Sequence, residues 1–192
     1  MSVPGSLAPL IERFFTQRLM TQRQVSPHTI ASYRDTFRLF FQFARQRIKK
    51  APCALAFSDV DVDLVEAFLN DLEKSRGLCA RSRNLRLSAL RSFFRYAAYY
   101  EPTHVARIQQ ILAIPAKRHD SRLVGFLTRP EVEALLAAPD LRTWHGRRDH
   151  ALLLVAFQTG MRLSELTSLR RSDIELNTGA HARCLGKGRK ER

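Results

Sequence analysis

The first 113 residues repeat one pattern: large apolar side chains at three- and four-residue steps, broken by capping residues. Such spacing lays them along one face of an α-helix, and a run of such faces is best buried against one another. Leu7, Leu10, Ile11, Phe14, Phe15 and Leu19 predict a helix over residues 6–23. Ser26-Pro27 opens a second, with serine as N-cap and proline at the first helical position. Its stripe is Ile30, Tyr33, Phe37, Phe40, Phe41 and Ala44, aromatics that core packing explains more cheaply than base stacking. Arg34, Arg38 and Arg45 stand on its other faces. A third helix carries Leu64, Val65, Phe68, Leu69 and Leu72, with acidic residues at its start that suit the helix dipole, and stops near Gly77. A fourth runs from Cys79 to Tyr99 on Leu87, Leu90, Phe94 and Ala97, and a short fifth fills 103–113 before Pro115.

The fourth helix has a second stripe: Arg81, Asn84, Ser88, Arg91, Ser92 and Arg95, with Arg83 beside it. The stripe itself holds no acid. A solvated helix face usually mixes signs, whereas one sign with short hydroxyl and amide groups suits phosphate and groove contact. A plain solvated face is the competing reading. Residues 114–127 are polar, basic and aperiodic, with Pro115, Lys117, Arg118 and Gly125, and read as a linker. It either lies along a phosphate backbone or is an exposed hinge.

The second block opens on Thr128 as N-cap, with Glu131 in capping-box position. Val132, Leu135 and Leu136 are expected to face inward, and Pro139 to end that helix. Ala151–Phe157 is apolar on nearly every side, which predicts a helix buried in the middle of its domain. It delivers the stretch Thr159-Gly160-Met161-Arg162-Leu163-Ser164-Glu165-Leu166. Gly160 is expected to end the helix in a left-handed conformation, and Arg162 to start a new turn with Glu165 on its face. An arginine there can fork two hydrogen bonds onto a phosphate, near a helix N-terminus that also favours anions. An ordinary surface ion pair fits the same spacing. After it, Ser172–Leu176 alternates, Asn177-Thr178-Gly179 turns the chain, and Ala182–Leu185 reads as a second strand. Gly186-Lys187-Gly188 then holds a lysine on a hairpin tip.

Charge narrows the partner. Lysine and arginine number 32 against 18 acidic residues, a net +14. The excess is spread evenly: 17 basic against 9 acidic up to Ala113, then 15 against 9. That balance points to a polyanion, above all nucleic acid, over a merely basic surface or an anionic membrane. No run approaches ~20 apolar residues, so no membrane span is expected, and the N-terminus lacks a secretory signal pattern. Cys53, Cys79 and Cys184 fit neither a metal spacing nor a disulfide framework, which suits a reducing cytoplasm; no metal and no cofactor are expected.

These pieces together resemble the tyrosine recombinases, or phage-type integrases, and most of all their Xer-type members. The resemblance rests on four motifs in order. They are Arg147-Arg148-Asp149-His150-Ala151-Leu152-Leu153, the Thr159–Leu166 stretch, Ser172-Asp173-Ile174, and Gly186-Lys187-Gly188-Arg189-Lys190-Glu191-Arg192, all downstream of a patterned helical block. It implies a mainly α chain. Residues 1–113 would be a SAM-like helical core-binding domain and 114–127 a linker. Residues 128–192 would be the N-terminal part of a mixed α/β catalytic domain, incomplete here.

The family's tyrosine attacks a DNA phosphodiester, leaving a 3′-phosphotyrosine and a free 5′-hydroxyl, and reversal rejoins the strands. By resemblance Arg162 is the first of two arginines that stabilise charge on the phosphate oxygens, Glu165 supports it, and Lys187 is the general acid for the leaving oxygen. Contacts to double-stranded DNA are implied for Arg34, Arg38, Arg81, Arg83, Asn84, Ser88, Arg91, Arg95, Lys117 and Arg118, with other recombinase protomers as further partners. The family's later His-x-x-Arg motif and nucleophilic tyrosine are absent. Tyr33, Tyr96, Tyr99 and Tyr100 all precede Arg162. The expectation is a chain that holds half an active site and binds DNA without cleaving it alone. The alternatives are a non-catalytic DNA-binding module that competes with or partners a full-length recombinase, and an RNA-binding basic protein.

Overall fold

The computed structural model describes residues 6–120, 125–184 and 186. The chain divides into two compact units, Met1–Ser121 and Arg122–Arg192. The boundary falls inside the expected linker, and residues 114–120 belong with the first unit.

The first unit is helical throughout. α1 (Leu7–Arg13) continues into a π-helical stretch, Phe14–Gln22. This widening is not visible at a 3.6-residue period. It lets Phe14 and Leu19, five residues apart, both be fully buried. The Arg23 N–H donates to the Arg18 carbonyl, five residues back, at 3.0 Å. α2 (Pro27–Ile48) starts as expected, with the Thr29 N–H donating to the Ser26 hydroxyl at 3.3 Å. α3 (Val62–Lys74) is capped by Asp61, whose carboxylate accepts from the Leu64 N–H at 2.8 Å. α4 (Ala80–Ala97) and α5 (Val105–Ala113) follow, the latter entered through a short 3-10 turn.

Their apolar faces meet in one aromatic core. Phe93 of α4 lies 5.5 Å from Phe14, 5.4 Å from Phe37 and 5.3 Å from Phe94, ring centre to ring centre, mostly edge to face. Phe40 and Phe68 join α2 to α3 in the same way at 5.3 Å. The aromatics of α2 are therefore core residues. Arg86 ties α4 to α2 as well, donating to the Ser32 carbonyl at 3.0 Å and to the Thr36 hydroxyl at 3.1 Å.

The second unit contains α6 (Arg129–Ala137), α7 (Trp144–Thr159), α8 (Leu163–Thr167) and a hairpin of β1 (Ile174–Glu175) and β2 (His181–Ala182). The strands are antiparallel, Ile174 opposite Ala182, and shorter than the alternation suggested. Thr128 donates both its N–H and its hydroxyl to Glu131, each at 2.7 Å. α7 starts seven residues before the apolar run, because the Thr143 hydroxyl accepts from the Gly146 N–H at 2.9 Å. Gly146 itself is needed there: a Cβ would stand 1.9 Å from the Asp140 carbonyl oxygen.

Two expectations for this unit are corrected. α7 is not buried: Leu152, Leu153, Leu154 and Phe157 are all exposed. Leu135 of α6 is exposed too, and Val132 is the buried residue of that helix. Among the described residues α7 packs chiefly against α6 and α8, and one side of each does not cover an apolar run that faces nearly every direction.

Candidate nucleic-acid interface

Three clusters contain the residues that the sequence singled out. The first lies around Arg162. α7 ends at Gly160 in the left-handed conformation, φ 62°. The chain is extended at Arg162 and then enters α8. Glu165 holds Arg162 twice. Its Oε2 accepts from the Arg162 N–H at 2.8 Å, and its Oε1 accepts from the guanidinium Nη1, also at 2.8 Å. The carboxylate is buried, 3 % exposed, while the arginine side chain is 59 % exposed. A buried carboxylate thus fixes one edge of the fork and leaves the rest turned to solvent. α8 has five residues, too short to add much dipole, so the guanidinium is what this corner offers an anion. Lys187 and the turn around it lie outside the described residues.

The second cluster is the outer surface of α2 and α4. Arg34, Arg38, Arg81, Ser88 and Arg95 are exposed. Among the described residues Arg38 makes one long ion contact, with Asp35 at 3.9 Å, on the surface. Such a pair contributes little and leaves the cation free for a stronger anion.

The third cluster corrects the reading of the α4 stripe. Arg83, expected on the DNA-facing side, is 5 % exposed. Its Nε lies 3.6 Å from the Glu73 carboxylate of α3, and its Nη1 donates to the Pro115 carbonyl at 3.5 Å. Asn84 pairs with the backbone of Lys117 in both directions: its Nδ2 donates to the Lys117 carbonyl at 2.7 Å, and the Lys117 N–H donates to its Oδ1 at 3.0 Å. Lys117 Nζ reaches Glu73 at 2.6 Å. Arg91 is half-buried and donates to the Ile114 carbonyl. Burial first, and then the neighbouring Arg95 and Arg83, push the Arg91 guanidinium below its usual pKa. Arg118 is exposed.

Part of the stripe therefore binds the protein's own chain. The acid missing from the stripe is supplied by α3. Glu73 and Arg86 are the residues that sequence reasoning passed over. A helix pattern reports which face a residue occupies, and neither partner is near in sequence.

Among the described residues no group of His, Cys, Asp or Glu could hold a metal ion, and no helix is long and apolar enough to cross a membrane. Cys53 and Cys79 are free and exposed, Cys184 free and buried.

Comparison with known proteins agrees with this architecture. A model described as phage integrase, N-terminal SAM-like domain, matches residues 11–99, and a phage integrase family model matches residues 125–192. A Sinorhizobium fredii protein named as an integrase/recombinase, y4rC, is 63% identical over the whole of this chain and 58% of its own length. Another from that organism, y4rD, is 44% identical over 97% of this chain and 66% of its own length. The tyrosine recombinase XerC of Pelobacter propionicus is 33% identical, over 97% of this chain and 59% of its own length. The chain thus spans about three-fifths of the curated relatives it matches. Among solved structures, the XerH site-specific recombinase bound to palindromic difH substrate in a post-cleavage complex shares the fold, with a TM-score of 0.60 at 23% identity over 88% of this chain and 49% of that one. With both matched regions in order along a helical unit and a mixed one, the chain belongs to the phage integrase family, the tyrosine recombinases.

Proposed function

We propose that these 192 residues bind double-stranded DNA as part of a site-specific recombinase or integrase acting through a 3′-phosphotyrosine, and that alone they do not cleave it. The observation that carries the reading is Arg162: an exposed guanidinium held by a buried carboxylate at 2.8 Å. A preoriented donor of that kind is suited to charge developing on a phosphate oxygen, and losing one typically costs ~10²–10³ in rate. Lys187 is assigned the protonation of the leaving 5′-oxygen. The exposed Arg34, Arg38, Arg81, Ser88 and Arg95 supply duplex contacts, along with Arg118. The solved relative whose fold it shares was crystallised on DNA, which supports the same partner here. Other recombinase protomers on the same DNA, and a cytoplasmic site of action, belong to this reading.

Every tyrosine of the chain lies in the first unit, none near Arg162 in sequence. A suicide DNA substrate tests the claim. The expected result is a bound but non-covalent complex; a covalent protein–DNA adduct formed by this chain alone contradicts it.

A second reading is favoured by one observation: the first unit has its own closed core and its own exposed cations. It could serve as a non-catalytic module that competes with or partners a full-length recombinase. A footprint on a defined inverted repeat with nanomolar affinity supports it. Salt-sensitive binding without sequence preference counts against it.

A further inference from the structure

Residues 114–117 have no regular secondary structure, yet three of their four carbonyls accept from α4 side chains. Arg91 takes Ile114, Arg83 takes Pro115 and Asn84 takes Lys117. A primary amide suits the last role because it carries a donor and an acceptor side by side, matching the C=O and N–H of one backbone residue. Glu73 of α3 then ties down the Lys117 ammonium at 2.6 Å.

The fastening has two strengths. Ile114 is part of the hydrophobic core, 2 % exposed, so the inner end is fixed by apolar burial. The outer end is held by polar contacts at the surface. The Lys117 side chain is half exposed, and an ion pair of that kind is weak and screened by salt. The outer end can open while the inner end stays.

We infer that Glu73 and Asn84 close residues 115–117 as a latch that withholds Lys117 from phosphate, so that DNA and Glu73 compete for the same ammonium. The second half of this inference rests on the DNA-binding reading above. Glu73 is one carboxylate shared by Lys117 and Arg83, whereas a duplex offers a row of phosphates whose binding releases counterions. When the latch opens, Lys117 joins the already exposed Arg118, and the segment leaving the first unit can neutralise one more phosphate. Glu73 therefore lowers the affinity for DNA.

The latch is tested without DNA, on the full chain, by limited trypsin digestion with mass-spectrometric readout. Lys117 and Arg118 are themselves trypsin sites. Glu73→Gln and Asn84→Ala are each expected to speed cleavage there several-fold, while cleavage within α2 and the circular dichroism of the helices stay as in the parent. Unchanged cleavage at 117 and 118 in both variants overturns the latch.

The competition is tested by fluorescence anisotropy with a duplex oligonucleotide. Glu73→Gln is expected to bind about threefold more tightly at low salt, with a salt slope about one unit steeper. Adding Lys117→Gln is expected to cancel the gain. Equal or weaker binding by Glu73→Gln, together with faster trypsin cleavage, overturns the competition and leaves the latch standing. A parent chain that binds no duplex at all overturns the DNA reading and the competition with it, and the trypsin result then judges the latch alone.

Discussion

The two units use the same residue types to different effect. In the first, Phe14, Phe57, Phe68, Phe93 and Phe94 are all but fully buried. In the second, Phe126, Trp144, Leu152, Leu153, Leu154, Phe157 and Leu163 are exposed, and among its described apolar residues only Val132 and Cys184 are buried. The first unit closes its apolar faces on one another; the second displays them. A hydrophobic side chain contributes in proportion to the apolar surface it removes from water, not to its mere presence. Apolar periodicity states what a segment seeks to bury, and burial depends on whether a cover lies within the same unit.

The difference can be broken by matched substitutions. Phe93→Ala opens the centre of the first core, where its ring meets Phe14, Phe37, Phe57 and Phe94. It is expected to cost about 3–5 kcal/mol in urea unfolding of the first unit. Gly146→Ala is the largest change expected in the second unit. The new Cβ would meet backbone at Asp140, and overpacking of this kind costs about 1–3 kcal/mol, read as faster amide exchange at the start of α7. Phe157→Ser, on the displayed face, is expected to change stability by no more than about 0.5 kcal/mol and to improve solubility. If Phe157→Ser costs as much as Phe93→Ala, the contrast between the units fails.

The smallest effect sharpens the contrast through pH. Asp59, beside α3, is held below the usual carboxylate range. The chief cause is its hydrogen bond from Lys50, followed by the Ala56 N–H. A depressed carboxyl contributes stability that is present above its unfolded pKa and is lost as pH falls through the folded one. The first unit should therefore lose thermal stability below about pH 4, and Asp59→Asn should flatten that part of the profile. An unchanged acid limb would show that Asp59 contributes nothing there.

What the sequence made legible was local. Ser26-Pro27, Thr128 with Glu131 and Gly160 each announce a helix end through chemistry confined to three or four residues. The α4 core residues Leu87, Leu90, Phe94 and Ala97 follow from periodicity. What stayed hidden depends on distant partners or on departures from the period. The π-helical stretch at Phe14–Gln22 breaks the 3.6-residue rule. Asn84 meets Lys117 across 33 positions, so from sequence an amide in a basic stripe reads as a groove contact. The need for glycine at position 146 comes from the Asp140 carbonyl, which leaves no room for a Cβ and which no local pattern announces. For the Arg162 corner, the Glu165 pairing follows from i, i+3 spacing, but the burial of the carboxylate does not.

The central claim is that the exposed cations of α2 and α4 bind duplex DNA while the partnered ones hold the fold. Its most direct test is the salt dependence of duplex binding. Replacing Arg34, Arg38, Arg81 and Arg95 together by Gln is expected to lower the slope of log affinity against log salt by about four units, one for each phosphate left without its arginine. Arg91→Gln alone, which removes the guanidinium that donates to the Ile114 carbonyl, is expected to leave the slope as it is. A quadruple variant with the parent's slope, or a slope that falls with Arg91→Gln instead, would contradict the claim.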